Sequence, residues 1–202
     1  MKTCYIVGAG DFTLPFTPSE DDLVIAADGG YAALSSHGIR CDLLIGDFDS
    51  LSSIPSGIEL LRFPVEKDDT DTALAYREGV RRGYTDFTVL GGVGGRDDHT
   101  FANLSLLLAA RTAGHRMTLI GERMRAFVIK DESISISGRD GQTVSVFALG
   151  GDAVGVTLRG LYYPAENITL TSATALGVSN HLVGECAEVS VESGAVLVMV
   201  EI

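Results

Sequence analysis

Two segments of the chain concentrate carboxylates, and a third segment is rich in glycine. The acidic segments are IGDFDS at 45–50 and KDDTDTALA at 67–75, and the glycine-rich segment is GGVGGRDDH at 91–99. Glycines let backbone N–H groups approach a phosphate closely, whereas carboxylates repel it. A divalent cation removes this conflict, because Mg²⁺ takes oxygen ligands and bridges carboxylates to substrate phosphates. The three segments therefore predict a magnesium-dependent site for a phosphorylated substrate.

Three aspartates are the candidate ligands of this metal. Asp47 and Asp49 lie two residues apart at a strand end, and side chains two apart in an extended chain point the same way. Asp71 falls in the first turn of the next helix, where its charge would also suit the helix dipole, and Asp68 would suffice as the cap of that helix. The glycine-rich segment fits neither common phosphate-loop motif, because no Lys-Ser/Thr follows its last glycine and position 97 is aspartate.

The pattern of elements changes near residue 121. Before it, short apolar runs alternate with helical patterns at 31–38, 70–83 and 100–114, which predicts a parallel sheet with crossover helices. Successive strands then bring acids or glycines to one edge of the sheet, where open α/β sheets bind ligands. These strand ends are at 8–11, 28–30, 47–50, 67–71 and 91–99.

After residue 121 apolar and polar residues alternate in short strands. Gly, Asp, Glu or Ser interrupts them about every 8–12 residues, a spacing typical of a small antiparallel sandwich or barrel. We therefore expect an α/β domain at 1–121 and a β domain at 122–202. Because both are small, we expect them to share an interface or to dimerise.

Charge and cysteine content exclude several classes of function. The formal net charge of −12 argues against nonspecific binding to nucleic acid and against docking on anionic membranes. The 3 cysteines are odd in number and far apart, which indicates neither a disulfide framework nor a zinc cluster. The N-terminal segment does not resemble a secretory signal, and the run AVLVMV at 195–200 is too short to span a bilayer. We expect a cytoplasmic protein.

The motif segments resemble the thiamin pyrophosphokinase family in its bacterial form. The resemblance is carried by AADGG, IGDFDS, FPVEKDDTDTALA and LGGVGGRDDHTFANLSLL, and later by LYYPAENITLTSATALGVSNHLVGE. It spans nearly the whole chain in order. One residue departs from the family pattern, since His181 follows Ser179 and Asn180 where the family usually has an acid.

The resemblance implies a Rossmann-like α/β domain followed by a β-sandwich, working as a homodimer that binds thiamine between subunits. The implied reaction transfers the diphosphoryl group of ATP to thiamine, giving thiamine diphosphate and AMP, with Mg²⁺ as cofactor. The implied metal ligands are Asp47, Asp49 and Asp71, and the implied catalytic residues are Asp49, Asp71, Lys67 and Asp98. The implied nucleotide contacts are Asp28, Gly29, Lys67, Asp68, Thr70, Gly92, Gly94, Gly95, Arg96, Asp98 and His99. The implied thiamine contacts are Asp47, Asp98, Asn103, Ser179 and Asn180.

Several alternatives stay open at this point. Either Asp98 or Asp49 is the base that takes the thiamine hydroxyl proton, and Ser179 with Asn180 also fits a plain β-turn. The chain could instead be a diphosphokinase acting on another small alcohol such as a pterin, or a non-catalytic module that binds nucleotide and metal. The β domain argues against the pterin route, and the complete set of charged residues argues against an inactive relative.

Overall fold

The computed structural model of the chain describes residues 2–12, 16–48, 57–64 and 69–202. Three of the predicted site residues, Asp49, Lys67 and Asp68, lie outside the described residues. The chain divides into two compact units, the first formed by Met1–Leu106 with Gly114–Glu122 and the second by Leu107–Ala113 with Arg123–Ile202.

The first unit contains a parallel sheet in the order β6-β5-β1-β2-β3-β4. Its strands are β1 (Cys4–Val7), β2 (Leu23–Ala27), β3 (Leu43–Gly46), β4 (Glu59–Arg62), β5 (Asp86–Leu90) and β6 (Arg116–Ile120). Helices α1 (Gly30–Ser36), α2 (Asp71–Arg81) and α3 (Asp97–Thr112) follow β2, β4 and β5. Every residue of β2 and β3 is buried, as expected for parallel strands that are covered on both faces. The predicted α/β class is confirmed.

Helix α2 begins at Asp71, and its cap differs from the expected one. The hydroxyl of Thr70 accepts a hydrogen bond from the Ala73 N–H at 3.2 Å, and Thr70 has the extended backbone of an N-cap. Thr70 therefore caps the helix, and Asp68, the expected cap, lies outside the described residues. Asp71 occupies the first turn, where its charge is favourable with the helix dipole.

The second unit is built from two antiparallel sheets, in the orders β12-β9-β14-β7 and β11-β10-β13-β8. The strands are β7 (Met124–Lys130), β8 (Ser133–Ser137), β9 (Thr143–Ala148), β10 (Ala153–Arg159), β11 (Ala165–Leu170), β12 (Asn180–His181), β13 (Cys186–Ser190) and β14 (Ala195–Glu201). Buried side chains of both sheets, mainly valine and leucine, form one core. This arrangement is the predicted sandwich, apart from the two-residue strand β12, which the sequence did not indicate.

No helix among the described residues is both long enough and apolar enough to cross a membrane. The two longest are α3 and α2, with 16 and 11 residues, and a bilayer needs about 20.

Candidate active site

A cavity of about 240 Å³ lies at the carboxyl edge of the parallel sheet. Its walls come from the segments after β1, β2 and β5 and from the first turns of α2 and α3, which the parallel topology brings to the same edge. The lining residues are Gly8, Ala9, Gly10, Ala27, Asp28, Asp71, Thr72, Gly91, Gly92, Gly94, Gly95, Arg96, His99 and Asn103. Six of these residues are glycines, which expose backbone to the cavity, and the other side chains include two acids and one guanidinium.

The segments after β1 and β5 are paired backbone to backbone beside this cavity. The Gly8 N–H donates to the Leu90 carbonyl and the Gly10 N–H to the Gly91 carbonyl, both at 2.8 Å. A Cβ on Gly8 would stand 2.6 Å from the Gly91 oxygen, so a larger residue does not fit. The sequence placed these glycines at the sheet edge but gave them no role in binding. The Gly-x-Gly spacing directly after a strand was the signal that could have assigned them.

Arg96 and Asp98 form a bidentate ion pair at the start of α3. The Arg96 Nη2 and Nε atoms donate to the two Asp98 oxygens at 2.6 and 3.1 Å, and the His99 N–H donates to the same carboxylate at 3.0 Å. The Arg96 guanidinium, with the His99 N–H, lowers the pKa of the Asp98 carboxyl. A lower pKa makes a carboxylate a weaker base. Because Arg96 Nε and Nη2 are bonded to Asp98, Arg96 contacts a phosphate through these atoms only if it divides them between the two anions or gives up the ion pair.

Asn103 is buried on α3 and binds the glycine-rich loop. Its side chain is 6% exposed, and its Nδ2 donates to the Gly92 carbonyl oxygen at 2.7 Å. The amide therefore fixes the loop that forms one wall of the cavity. A buried amide that already satisfies a backbone carbonyl costs free energy to divert to a ligand.

The backbone between the first two metal candidates is not extended. Phe48, which separates Asp47 from Asp49 in the sequence, has φ of 66° and is 5% exposed. The chain is not extended at Phe48, so a spacing of two residues does not by itself place both carboxylates on one side, and Asp49 lies outside the described residues. On the neighbouring strand end, Asp28 also has a left-handed backbone, with φ of 47°. Such conformations in residues other than glycine occur mainly where surrounding structure enforces them, and they cluster at functional sites.

The acids of the first unit have the chemistry that Mg²⁺ requires. Asp28 and Asp71 line the cavity, and Asp47 follows the adjacent strand end. Carboxylate oxygens are the hard donors that this ion prefers. Within the described residues no group of three or more His, Cys, Asp or Glu side chains is close enough to hold a metal without other ligands. The donor set fits an ion that takes one or two carboxylates and completes its shell with phosphate and water.

A second, more apolar cavity lies within the second unit. It measures about 650 Å³ and is lined by Leu158, Tyr163, Pro164, Ala165, Glu166, Ile168, Leu170, Leu176, Gly177, Val178 and Asn180. Ser179 has φ of 57°, its N–H donates to the Ser145 hydroxyl at 3.0 Å, and its side chain is exposed. Asn180 is 3% exposed, and its side-chain amide contacts the backbone of Tyr163.

The structure thus brings together only part of the predicted set. Around the first cavity it gathers Asp28, Asp71, Gly92, Gly94, Gly95, Arg96, His99 and Asn103. Among the described residues, Gly29, Asp47, Thr70 and Asp98 belong to the same unit but do not line this cavity. Ser179 and Asn180 belong to the second unit. Gly8, Gly10 and Thr72 are lining residues that the sequence did not assign.

Comparisons with known proteins match both units. The model of the thiamin pyrophosphokinase catalytic domain matches residues 17–119, and the model of the thiamin pyrophosphokinase vitamin B1 binding domain matches 131–196. Thiamine pyrophosphokinase of Bacillus subtilis is 28% identical over 211 residues, covering 99% of this chain and 98% of that protein.

Solved structures have the same fold. The crystal structure of thiamine pyrophosphokinase from Bacillus subtilis has a TM-score of 0.89 at 24% identity and covers 98% of both chains. A thiamin pyrophosphokinase family protein from Enterococcus faecalis has a TM-score of 0.87 at 26% identity, covering 100% of this chain and 99% of its own.

A parallel α/β unit with a glycine-rich, acid-bearing cavity, followed by an antiparallel β unit, defines a two-unit α/β protein with a candidate phosphate site. Both units match one family in the order that the family has them. The chain belongs to the thiamin pyrophosphokinase family. The pterin alternative and the non-catalytic alternative are not favoured by these matches.

Proposed function

We propose that this chain transfers the diphosphoryl group of ATP to thiamine, giving thiamine diphosphate and AMP. The hydroxyethyl oxygen of thiamine forms a bond to the β-phosphorus of ATP, the bond from that phosphorus to the α,β-bridging oxygen breaks, and AMP leaves with the electron pair. The hydroxyl proton passes to a carboxylate. The observation that carries the proposal is the match of the catalytic and vitamin B1 binding domain models in one chain.

Binding and charge neutralisation are the main tasks of the chain in such a transfer, since the reaction needs little covalent help. The glycine-rich wall offers backbone N–H groups to phosphate oxygens, and the positive end of α3 adds to their effect. Arg96 supplies a cation at the same wall, and Lys67 is the second cation expected there. The candidate bases stay Asp49 and Asp98, and the pairing with Arg96, which lowers the pKa of Asp98, weakens Asp98 as a base for as long as the pair persists.

Magnesium is the proposed cofactor, held by Asp47, Asp49 and Asp71. When bound, it would neutralise charge on the phosphates of ATP. Asp28 lines the same cavity as Asp71 and is a further carboxylate that a hydrated ion could contact through water.

We also propose that the chain works as a homodimer in the cytoplasm, with thiamine bound between subunits. Support comes from a cluster of exposed apolar side chains in the second unit, here called the apolar face. It consists of Tyr163, Leu176 and Val178, which are 53 to 72% exposed and line the second cavity together. Exposed apolar groups gathered in this way mark interaction sites more often than free surface.

A product assay tests the proposal. Purified protein with ATP, Mg²⁺ and thiamine should form AMP and thiamine diphosphate in equal amounts, and no AMP should form with a pterin alcohol instead. Chelation of the metal should abolish the reaction. ADP produced in step with thiamine consumption would contradict a one-step diphosphoryl transfer.

Two variants separate the metal site from the fold. Asp71→Ala should reduce turnover by at least about 100-fold, because the cavity loses a carboxylate proposed to hold the ion. Asp21→Ala removes an equally charged side chain that is exposed and does not line the cavity, so it should leave turnover unchanged. Thermal unfolding should show that both variants fold. Near-normal turnover of Asp71→Ala with Mg²⁺ would remove Asp71 from the site.

A further inference from the structure

Asn180 is assigned to thiamine by its place in the Ser-Asn motif, but its side chain is occupied within the chain. We propose that Asn180 is a positioning residue, which contributes to thiamine affinity by fixing the backbone of Tyr163 and does not contact the vitamin. The inference rests on the proposed function in one respect only, namely that the ligand of the second cavity is thiamine.

Three hydrogen bonds define this clamp. The Asn180 Nδ2 donates to the Tyr163 carbonyl oxygen at 2.8 Å, and the Asn180 Oδ1 accepts from the Tyr163 N–H at 3.0 Å. The same Oδ1 accepts from the His181 N–H at 2.9 Å. The side chain thus pairs with both backbone groups of Tyr163, as a neighbouring strand would. Asn180 and Tyr163 are 17 residues apart, so the clamp joins two segments that the local chain does not hold together.

The Asn180 side chain has little hydrogen-bonding capacity left for a ligand. An amide oxygen has two lone pairs, and both are used here, while the amide nitrogen has two hydrogens, of which one is used. The side chain is also 3% exposed. Turning the amide toward a ligand would leave the Tyr163 N–H and carbonyl without these partners, which is costly in a buried setting. The neighbouring Ser179 is exposed, so of the two motif residues it is the one whose side chain solvent can reach.

Tyr163 is the group whose position the clamp controls. Its side chain is 63% exposed and lines the second cavity together with Pro164 and Val178. The preceding residue, Tyr162, is also held. Its N–H donates to the His181 carbonyl oxygen at 2.9 Å, and the Tyr162 and His181 rings stack with centroids 4.7 Å apart. An aromatic ring that is exposed but held by its backbone presents a fixed surface for a flat ligand, at low cost in conformational entropy.

A double-mutant cycle distinguishes positioning from contact. Asn180→Ala and Tyr163→Ala should each raise the KM for thiamine about tenfold while leaving the KM for ATP unchanged. If Asn180 acts through Tyr163, the double variant should also show about a tenfold increase, because the second change removes nothing further. An increase near 100-fold in the double variant, or no effect of Tyr163→Ala alone, would overturn the inference.

Asn180→Asp provides a second test, because positioning and direct contact predict opposite changes in the KM for thiamine. A carboxylate keeps the acceptors but loses the donor to the Tyr163 carbonyl, so the clamp weakens and the KM for thiamine should rise. A carboxylate in direct contact with the cationic vitamin would instead lower that KM. Asn167→Asp makes the same change at an exposed site of the second unit and should have no effect.

Hydrogen exchange tests the clamp without any substrate. The Tyr163 amide should exchange with solvent deuterium at least about tenfold faster in Asn180→Ala than in the unmodified chain, because its acceptor is removed. An unchanged exchange rate would overturn the inference even if thiamine is the substrate. Faster exchange in a protein that forms no thiamine diphosphate would contradict the proposed function and leave the clamp itself standing.

Discussion

At the scale of single residues, Phe48 shows how burial enforces an unfavourable backbone beside the proposed metal ligands. The residue has φ of 66°, a region that bulky residues rarely adopt. Its ring is 5% exposed in a cluster with Leu34, Leu44 and Leu90, and the Arg62 guanidinium lies 5.3 Å from the ring centre. Burying a phenylalanine side chain is worth about 1.5–3 kcal/mol, which offsets a cost of about 1–2 kcal/mol for the left-handed backbone. The ring therefore holds the turn that follows Asp47.

Substitutions at Phe48 should reverse the usual order of alanine and glycine. Phe48→Ala should lower the free energy of unfolding by about 3 kcal/mol, and Phe48→Gly should cost about 1 kcal/mol less, because glycine adopts positive φ without strain. Urea unfolding measures both. Phe87, buried in strand β5 without a positive φ, is the control, and there glycine should destabilise more than alanine. Equal or greater loss in Phe48→Gly would show that the backbone is not strained.

At the scale of elements, one buried acid joins helix α2 to strand β4. Glu78 accepts hydrogen bonds from Arg81 and Arg82 at 2.6 to 2.7 Å, and Arg82 also donates to Glu59 on β4 at 2.6 Å. The hydrogen bonds from Arg81 and then Arg82 lower the pKa of Glu78 to about 2. Glu59 is the first residue of β4, and Arg82 follows the last residue of α2, so this network joins the two elements at the ends away from the segment that carries Lys67.

The lowered pKa of Glu78 makes part of the stability pH-dependent. A carboxyl whose pKa falls on folding stabilises the protein above its unfolded pKa, here 4.5, and this contribution is lost as the pH falls toward about 2. Glu78→Gln should therefore lower the free energy of unfolding by about 2 kcal/mol at pH 7 and flatten its decline below pH 4.5.

Unfolding in urea at several pH values checks this behaviour. Glu59→Gln is the matched control, since the Glu59 side chain is 52% exposed and pairs with Arg82 at the surface. It should cost less than about 1 kcal/mol. If the free energy of unfolding of Glu78→Gln falls below pH 4.5 as steeply as that of the unmodified chain, Glu78 is not the source of this pH dependence.

At the scale of the whole molecule, the proposed substrates need groups from both units. The first cavity gathers acids and glycine amides for phosphate, and the second cavity is apolar and uncharged apart from Glu166. If each site is shared in a two-fold dimer, the acids come from one subunit and the apolar wall from its partner. Variants that damage different cavities should then complement each other.

Mixing Asp71→Ala with Val178→Arg tests shared sites. Each homodimer should be inactive, the first for want of a metal ligand and the second because a bulky cation enters the apolar cavity. In a random mixture about half of the dimers are heterodimers with one intact site, so about a quarter of the activity should return. Mixing Asp71→Ala with Asp71→Asn should restore none. No recovery in heterodimers verified by differently tagged subunits would mean that each chain carries its own complete site.

The sequence by itself determined most of the helices and strands and the edge of the parallel sheet at which the site residues lie. Parallel strands expose their carboxyl ends on one side whatever their order, so Asp28, Asp71 and Gly92 were predictable as neighbours before any strand was paired. The motif residues also carried the resemblance to the family that both matched models support. These inferences depend on local pattern and chain direction, which the sequence contains.

Only the tertiary structure decided which atoms are free to act. The contact of Gly8 with Gly91, the pairing of Asn103 with Gly92 and the clamp of Asn180 on Tyr163 join residues that no periodicity links. The left-handed turn at Phe48 replaced the extended geometry that residue spacing suggested, because burial of one ring outweighs a local backbone preference. A side chain's role depends on the partners that packing gives it, and packing is a property of the folded chain.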